Sequence, residues 1–354
     1  MKRKDFLKRF AALGLASPFM AHMLSSCTNK KHFSYDLPSF FDGKIILIGA
    51  GVTGITAGHI LNQKGIDFEI LEASAVHGGR VKKVAGFADF PIDVGAEWIH
   101  KWIEARPPLL ESLLKNEHPD FPTFEDKSET YAVWKKGELR EPAILRQISG
   151  SEDYKFSNAT WFDDFDLLVT PDLKKKIHYN SPVNQIDYNR NQVSIITSSG
   201  KEYLADKVLV TVPIKILQNG NITFKPALPA QQLAAINEDR LPGGLKVFIE
   251  FSEIFYPHIL FTNGLMNGIF GGKHMYYDES YGKDSTRNIL GLFVVGEASE
   301  QYTSLKTDDA IIKYVLVELD DFFKGKASLY YLKHIILNWS AEPFIQGSYS
   351  ERRG

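Results

Sequence analysis

The sequence predicts an α/β fold in which a parallel-sheet domain is interleaved with a second, α+β domain. Three observations predict it. Lys44-Ile45-Ile46-Leu47-Ile48 is a short, nearly continuous apolar run, as expected of a strand buried on both faces. A glycine turn, a helix-period segment and a second apolar run follow it, and strand-patterned segments return near 192–212 and 245–251. The 354 residues also exceed the roughly 250–300 that one hydrophobic core usually encloses, so two domains are expected.

In chain order, Lys2, Arg3, Lys4, Lys8 and Arg9 precede a mostly apolar stretch from Phe10 to Leu24, too short to span a bilayer comfortably. This is the layout of an export signal. Arg3-Lys4-Asp5-Phe6-Leu7-Lys8 resembles a twin-arginine signal with lysine in the second place, and Leu24-Ser25-Ser26-Cys27 resembles a bacterial lipobox. Residues 1–27 are therefore expected to direct a lipoprotein to the periplasm or a membrane surface, anchored through Cys27. The plainer reading is a basic amphipathic N-terminus. Cys27 is the single cysteine, which leaves neither an intrachain disulfide nor a cysteine-rich metal site. Residues 28–42, mixing Ser, Asn, Lys, Asp and Pro, read as a tether.

The first folded unit carries the strongest motif. After Ile48 comes Gly49-Ala50-Gly51-Val52-Thr53-Gly54, and from Thr53 to Lys64 the apolar residues Ile55, Ala57, Ile60 and Leu61 recur at helical spacing, with Gly65 at the stop. Asp67-Phe68-Glu69-Ile70-Leu71 is the second strand, ending at Glu72. The unit is a complete Rossmann-like βαβ element. Gly49 permits the tight turn, Gly51 lets the backbone approach a diphosphate, and Gly54 lets the helix pack closely. Unpaired N–H groups at the helix tip favour the anion, and Glu72 is placed to accept hydrogen bonds from a ribose diol. Gly78-Gly79-Arg80 adds a second close approach and a guanidinium fork, which favours FAD over a nicotinamide cofactor. The competing reading is a glycine-rich surface turn beside a structural glutamate.

Farther along, Gln192 to Thr197, a Ser-Ser-Gly turn and Lys207 to Val212 read as a hairpin and another buried strand, stopped by Pro213. Leu245, Val247, Ile249 and Phe251 alternate with Lys246, Phe248 and Glu250. Asp308 to Phe323 has helical period with an acidic start, and Ile335 to Trp339 begins a last segment. The charges, 41 basic against 43 acidic, give a net of -2, so nucleic acid is not an expected partner.

With these residues in view, the chain resembles the flavin-containing amine oxidases, the group of monoamine and polyamine oxidases and flavin-dependent histone demethylases, from about Lys44 to Ser350. Beyond the two glycine motifs, Asp93-Val94-Gly95-Ala96-Glu97-Trp98-Ile99-His100 is similar to the segment whose backbone lies beside the flavin. Ser181-Pro182-Val183-Asn184-Gln185-Ile186 resembles the element whose valine backbone contacts the adenine, here Val183, and Ala205 to Pro213 resembles the strand that follows. Gly243-Gly244-Leu245-Lys246-Val247 resembles the strand whose lysine holds a water near flavin N5, which implies a catalytic role for Lys246. From the alternation alone, Lys246 is an ordinary solvent-facing lysine. Trp339-Ser340-Ala341-Glu342-Pro343-Phe344 with Gly347-Ser348-Tyr349-Ser350 resembles the return to the flavin domain, and includes Trp339 in the cofactor site.

The resemblance implies FAD-binding parts at 43–96, 181–217 and 336–354 and substrate-domain parts at 97–180 and 218–335. The first substrate part is expected to be shortened. The last flavin part is expected to be truncated, because the chain ends four residues after Ser350, before the family's Gly-Glu segment. Val295-Gly296-Glu297-Ala298 precedes Trp339 and belongs by order to the substrate domain. The reaction implied is oxidation of an amine C–N bond to an imine that hydrolyses to a carbonyl compound, with oxygen reduced to hydrogen peroxide. A pocket for the neutral amine calls for an apolar wall, for which Trp98, Phe270, Tyr276 and Tyr277 are candidates. Glu97 and Glu104 are candidates for attracting the cationic amine, although a solvated face is the commoner role for such acids. His100 reads as a packed or surface histidine. Two other readings stand beside this one: a non-catalytic remnant that binds FAD weakly or not at all, and a flavin oxidoreductase acting on C–C bonds.

Overall fold

Alternate side chains of the first strand, β1 (Lys44–Ile48), enter two different cores, which is why its sequence is almost wholly apolar. Leu47 packs with Ile55 of the following helix, α1 (Val52–Gln63), and with Ile70 of the second strand, β2 (Asp67–Leu71). Ile46 and Ile48 pack on the opposite face with Val183, Ile186, Ile195 and Ala205. The computed structural model describes residues 41–100, 121–127, 130–135, 137–141, 153–262 and 274–349. The expected export signal, Cys27, most of the tether, Glu104 and Phe270 lie outside the described residues, as does the side chain of His100.

The sheet around β1 has four parallel strands in the order Ile177–His178, β2, β1, Lys207–Val210. Residues Gly54, Ile55, Gly58 and His59 form the buried face of α1, while Ile60 and Leu61 are only half-buried. Glycine at 58 has a steric reason: a Cβ there would lie 2.8 Å from Ile70 Cδ1. Helix α1 stops as its sequence suggests, with Lys64 as C-cap and Gly65 at φ 68°.

A second four-stranded sheet runs Glu202–Ala205, Val193–Thr197, Val183–Asp187, Thr223–Lys225, and its apolar side covers the lower face of the first. Segment 161–178, which the sequence reading assigns to the substrate domain, packs on the dinucleotide sheet instead: Phe165, Leu168 and Leu173 join the core of Leu47, Ile55 and Phe68. Likewise Thr223–Lys225 pairs with Gln185–Asp187. Neither placement follows from local pattern, because both segments are short and are recruited by distant strands.

The third sheet has seven strands: Tyr331–Asn338, Gly244–Phe251, Asn288–Val295, His274–Asp278, Ile259–Thr262, Tyr131–Lys135 and Glu138–Arg140. Helix Asp308–Phe323 covers one face, burying Ile311, Ile312, Val315 and Leu319 against Leu245, Val247 and Ile249. Its start has the acidic residues Asp308 and Asp309, and the Thr307 side chain accepts the Ala310 N–H. The other face is covered by segment 87–98, whose Phe87, Phe90, Ile92 and Val94 pack on Phe248, Tyr277 and Phe293. Thus Gly244–Phe251 is buried along its whole length. The alternation read from its sequence is correct, yet the face carrying Lys246 meets protein, not solvent. Val295 ends the neighbouring strand of this sheet, and Gly296 donates its N–H to Gly243 O at 3.0 Å.

Candidate functional site

Strand, turn and helix converge at the C-terminal end of β1, the edge where a parallel sheet leaves room for a ligand. Gly49 has φ 101° and donates its N–H to Leu71 O at 2.8 Å, which fixes the turn against β2. A Cβ at Gly54 would lie 1.9 Å from Gly49 O, so no side chain fits between helix and turn. At Gly51 a Cβ would meet nothing within 4 Å. The space is a cavity of about 560 Å³, lined by Gly49, Gly51, Thr53, Glu72, Gly79 and Arg80 together with Val183.

The tip of α1 has no side-chain cap and no acid in its first turn, so its N–H groups are available to an anion at the cavity. The Glu72 carboxylate is 7% exposed and accepts two backbone N–H groups, from Ala50 at 2.6 Å and Ser74 at 2.8 Å. These bonds hold one of its oxygens at the first glycine turn and the other at Ser74, in the cavity wall. Gly78 donates to Ala50 O at 2.8 Å and stands beside Gly51 in an isolated bridge, so the two glycine turns are stitched together. Two glycine turns, an uncapped helix tip and an acid in the wall of one cavity suit a dinucleotide: the open space at Gly51 admits a diphosphate and Glu72 retains lone pairs for a sugar hydroxyl.

From Arg80 the arrangement continues to a second, buried centre. Ala96 donates its N–H to Arg80 O at 3.3 Å, and a Cβ at Gly95 would lie 2.0 Å from that same oxygen. Earlier in the same segment, the Asp93 carbonyl accepts from Lys246 Nζ at 3.1 Å. Segment 93–98 therefore joins the cavity rim to Lys246. Trp339 closes the segment from outside, its Nε1 donating to Val94 O at 3.2 Å. The returning chain also reaches the cavity: Lys82 pairs with Glu342 at 2.9 Å, and Arg80 Nη1 donates to Ser348 O at 2.7 Å.

Lys246 is 2% exposed and its ammonium is ion-paired with Glu97 Oε2. The Trp98 ring centroid lies 5.1 Å from Nζ, and those of Phe248 and Phe293 5.8 Å. Tyr277 Oη donates to the same Glu97 oxygen at 2.7 Å. On the other side, Lys155 Nζ lies 2.5 Å from Glu97 Oε1 and 2.5 Å from Glu279 Oε2. Burial opposes charge on Glu97, but Lys155 and Lys246 outweigh it and hold the carboxyl well below the usual range. Burial, followed by the Glu97 charge, pushes the Glu279 carboxyl up to about 7. The pair of acids thus carries unequal proton affinity at neutral pH.

Several sequence expectations change here. Glu97 lies on no solvated face: it is 3% exposed and anchors an ion network. Tyr276 is not beside Lys246; it is in the core under helix Asp308–Phe323, with Oη donating to Glu318 Oε1 at 2.5 Å. Its neighbour Tyr277 and Trp98 do meet at the Lys246 face, ring centroids 5.0 Å apart. Ala50, Gly54, Gly95, Ala96, Glu97, Trp98, Trp339 and Lys246 are absent from the cavity lining. Ala50 and Gly54 shape the turn from behind, and the others belong to the Lys246 centre or to the segment leading to it. Sequence reasoning missed Lys155 and Glu279. Nothing local marks them, since one lies within a short strand and the other directly follows one.

Residues 52–162 and 166–353 match the protein family described as flavin containing amine oxidoreductase. Among curated proteins the chain is similar to lysine-specific histone demethylase 2 of Homo sapiens, 26% identical over 401 residues, covering 89% of this chain and 48% of that protein. It is also similar to polyamine oxidase 3 of Oryza sativa subsp. japonica, 23% identical, covering 86% of this chain and 78% of that one. The chain spans about half the length of the Homo sapiens demethylase and of lysine-specific histone demethylase 1B of Mus musculus. Among solved structures, putrescine oxidase bound to putrescine has a TM-score of 0.68 at 15% identity, covering 88% of each chain. Cyclohexylamine oxidase from Brevibacterium oxydans IH-35A has a TM-score of 0.66 at 14% identity, covering 87% of each chain. These likenesses establish a shared fold.

Proposed function

The chain belongs to the flavin-containing amine oxidoreductase family, and on that premise we propose that it is an FAD-dependent amine oxidase, which oxidises a C–N bond of a small amine and passes the electrons to oxygen. One observation carries the reading: segment 93–98 bonds to Lys246 through the Asp93 carbonyl and the Glu97 carboxylate and to Arg80 through the Ala96 N–H between them, so a cofactor seated on the glycine turns leads toward the buried lysine. The relatives named for polyamines, putrescine and cyclohexylamine support amines as the substrate class.

In this reading the backbone at Gly49–Gly54 and Gly78–Gly79 holds the diphosphate, Glu72 the sugar and Val183 the adenine edge. When bound, FAD would supply the two-electron chemistry, as acceptor for the electrons and α-hydrogen of the amine and as electron donor to oxygen. The protein supplies the rest. Trp98, Phe293 and Tyr277 exclude water around Lys246, and Glu97 holds its ammonium in a fixed direction. A fixed ammonium in a dry site orients a water or a polar group more effectively than one in solvent. The imine then hydrolyses to a carbonyl compound. The N-terminal pattern adds export and lipid attachment at Cys27 to the proposal, tested by radiolabelled palmitate incorporation and its loss in Cys27→Ala.

The test of function is direct. The purified full chain should carry visible flavin absorbance, bleach anaerobically with an amine from a panel of mono-, di- and polyamines, and form peroxide when air is readmitted. A protein that takes up FAD yet is bleached by no amine would refute the oxidase assignment.

A further inference from the structure

The second glycine turn of the cavity is held by a side-chain arrangement outside the motifs described so far. His77, immediately before Gly78, lines the cavity, and its side chain is 11% exposed. Its Nδ1 lies 2.8 Å from Tyr179 Oη and its Nε2 2.7 Å from Asp166 Oδ1. The imidazole stacks on Phe162, centroids 5.2 Å apart and planes 20° from parallel. Phe162 also borders Gly78, where a Cβ would lie 3.1 Å from its ring. Three elements therefore meet on one imidazole: the loop after β2, the short helix Trp161–Asp166, and Tyr179 just beyond the edge strand Ile177–His178.

The turn needs such support. Gly78 and Gly79 have φ 105° and 60°, and glycine in these conformations gives up more backbone freedom than other residues when it is fixed. Main-chain bonds secure the two ends of the loop: Ser181 donates to Glu72 O at 2.8 Å, Asn180 to Ser74 O at 3.0 Å, and Gly78 to Ala50 O at 2.8 Å. Between Ser74 and Gly78 the polar side chain with partners on both other elements is His77. We infer that His77, clamped between Asp166 and Tyr179, is a cofactor-positioning residue that pre-sets the Gly78–Gly79 turn for the FAD diphosphate. A loop ordered before binding does not have to be ordered by the ligand, so the clamp acts on cofactor affinity. The inference rests on the FAD reading above.

Its test is binding, independent of turnover. FAD is titrated into apo full-length protein, with flavin fluorescence giving Kd and a stopped-flow chase giving the dissociation rate. His77→Leu keeps an apolar contact with Phe162 and deletes both polar contacts, and it should weaken FAD binding about tenfold, mostly through faster release, alongside only a modest fall in apo melting temperature. His77→Gln and His77→Asn, which each restore a polar end, should fall between. If His77→Leu fails to fold, Tyr179→Phe combined with Asp166→Ala carries the same expectation. Unchanged affinity with a lowered apo melting temperature would reduce His77 to a folding role and overturn the inference. A parent protein that binds no FAD would instead remove the reading beneath it.

Discussion

The ammonium of Lys246 and the carboxylate of Glu97 form an ion pair sealed from water, each side chain 2% exposed. Burying such a pair costs more in lost hydration than it returns unless the remaining lone pairs and protons are satisfied. Here Tyr277 and the Asp93 carbonyl supply hydrogen bonds, and the Lys155 ammonium faces the other Glu97 oxygen as an ion pair at 2.5 Å. The pair and its partners thus come from four separate stretches of chain, at 93–97, 155, 246 and 277, which gives it a defined direction.

Lys246→Met tests what that direction is for. The substitution keeps the aliphatic stem among Trp98, Phe248 and Phe293 and removes the ammonium, so flavin content should be retained while the rate of the limiting half-reaction falls about 100-fold or more. Anaerobic stopped-flow reduction and separate reoxidation by oxygen identify which half-reaction is affected. Both half-reactions within a few-fold of the parent would rule Lys246 out.

The second and third glycines of the first motif predict opposite failures. Gly51→Ala places a methyl in open space on extended backbone, φ -73° and ψ -175°, so the apo protein should melt as the parent does while FAD affinity falls. Gly54→Ala drives a methyl to 1.9 Å from Gly49 O and should destabilise the apo protein itself, by about 1–3 kcal/mol. Apo melting curves and FAD titrations on both variants separate the effects.

Glu279 predicts a pH dependence of stability. Its carboxyl moves from an ordinary 4.5 to about 7 on folding, through burial and then the Glu97 charge. Between these values the folded protein holds a proton that the unfolded chain has released, so stability falls as pH rises through the window and levels off above it. Glu97 shifts the other way, and its contribution is lost only on acidification below the ordinary carboxyl range. Glu279→Gln should flatten the decline by an amount on the order of 3 kcal/mol, measured by urea denaturation at about pH 5 and about pH 8. Burial also raises Asp93 and Asp278, so a smaller slope remains.

Adjacent tyrosines should separate cleanly. Tyr276→Phe removes a donor to Glu318, which keeps Tyr302 at 2.9 Å, and should cost about 1 kcal/mol of stability without changing turnover. Tyr277→Phe removes a donor to Glu97 and should alter the pH profile of flavin reduction by an amine. A shift of that profile in Tyr276→Phe instead would contradict the placement of the two residues on opposite sheet faces.

By itself the sequence determined what depends on neighbours along the chain: the βαβ unit, whose strands are apolar because both faces are buried; the turn, which needs Gly49 at φ 101°; the stop at Gly65; and the start of the helix at Asp308. Periodicity and backbone conformation are local, so residues within a few positions of one another encode them. It also marked Lys246 as one of an alternating set, but alternation states which residues share a face and not what covers that face. Only the tertiary structure decided that segment 87–98 lies there, that Tyr276 and Tyr277 part company, and that Lys155 bridges Glu97 and Glu279. Lys155 and Glu279 stand 124 positions apart, and Lys246 and Glu97 149 apart. Charges so distant in sequence find each other only when the sheets assemble, since in the unfolded chain water solvates each of them separately.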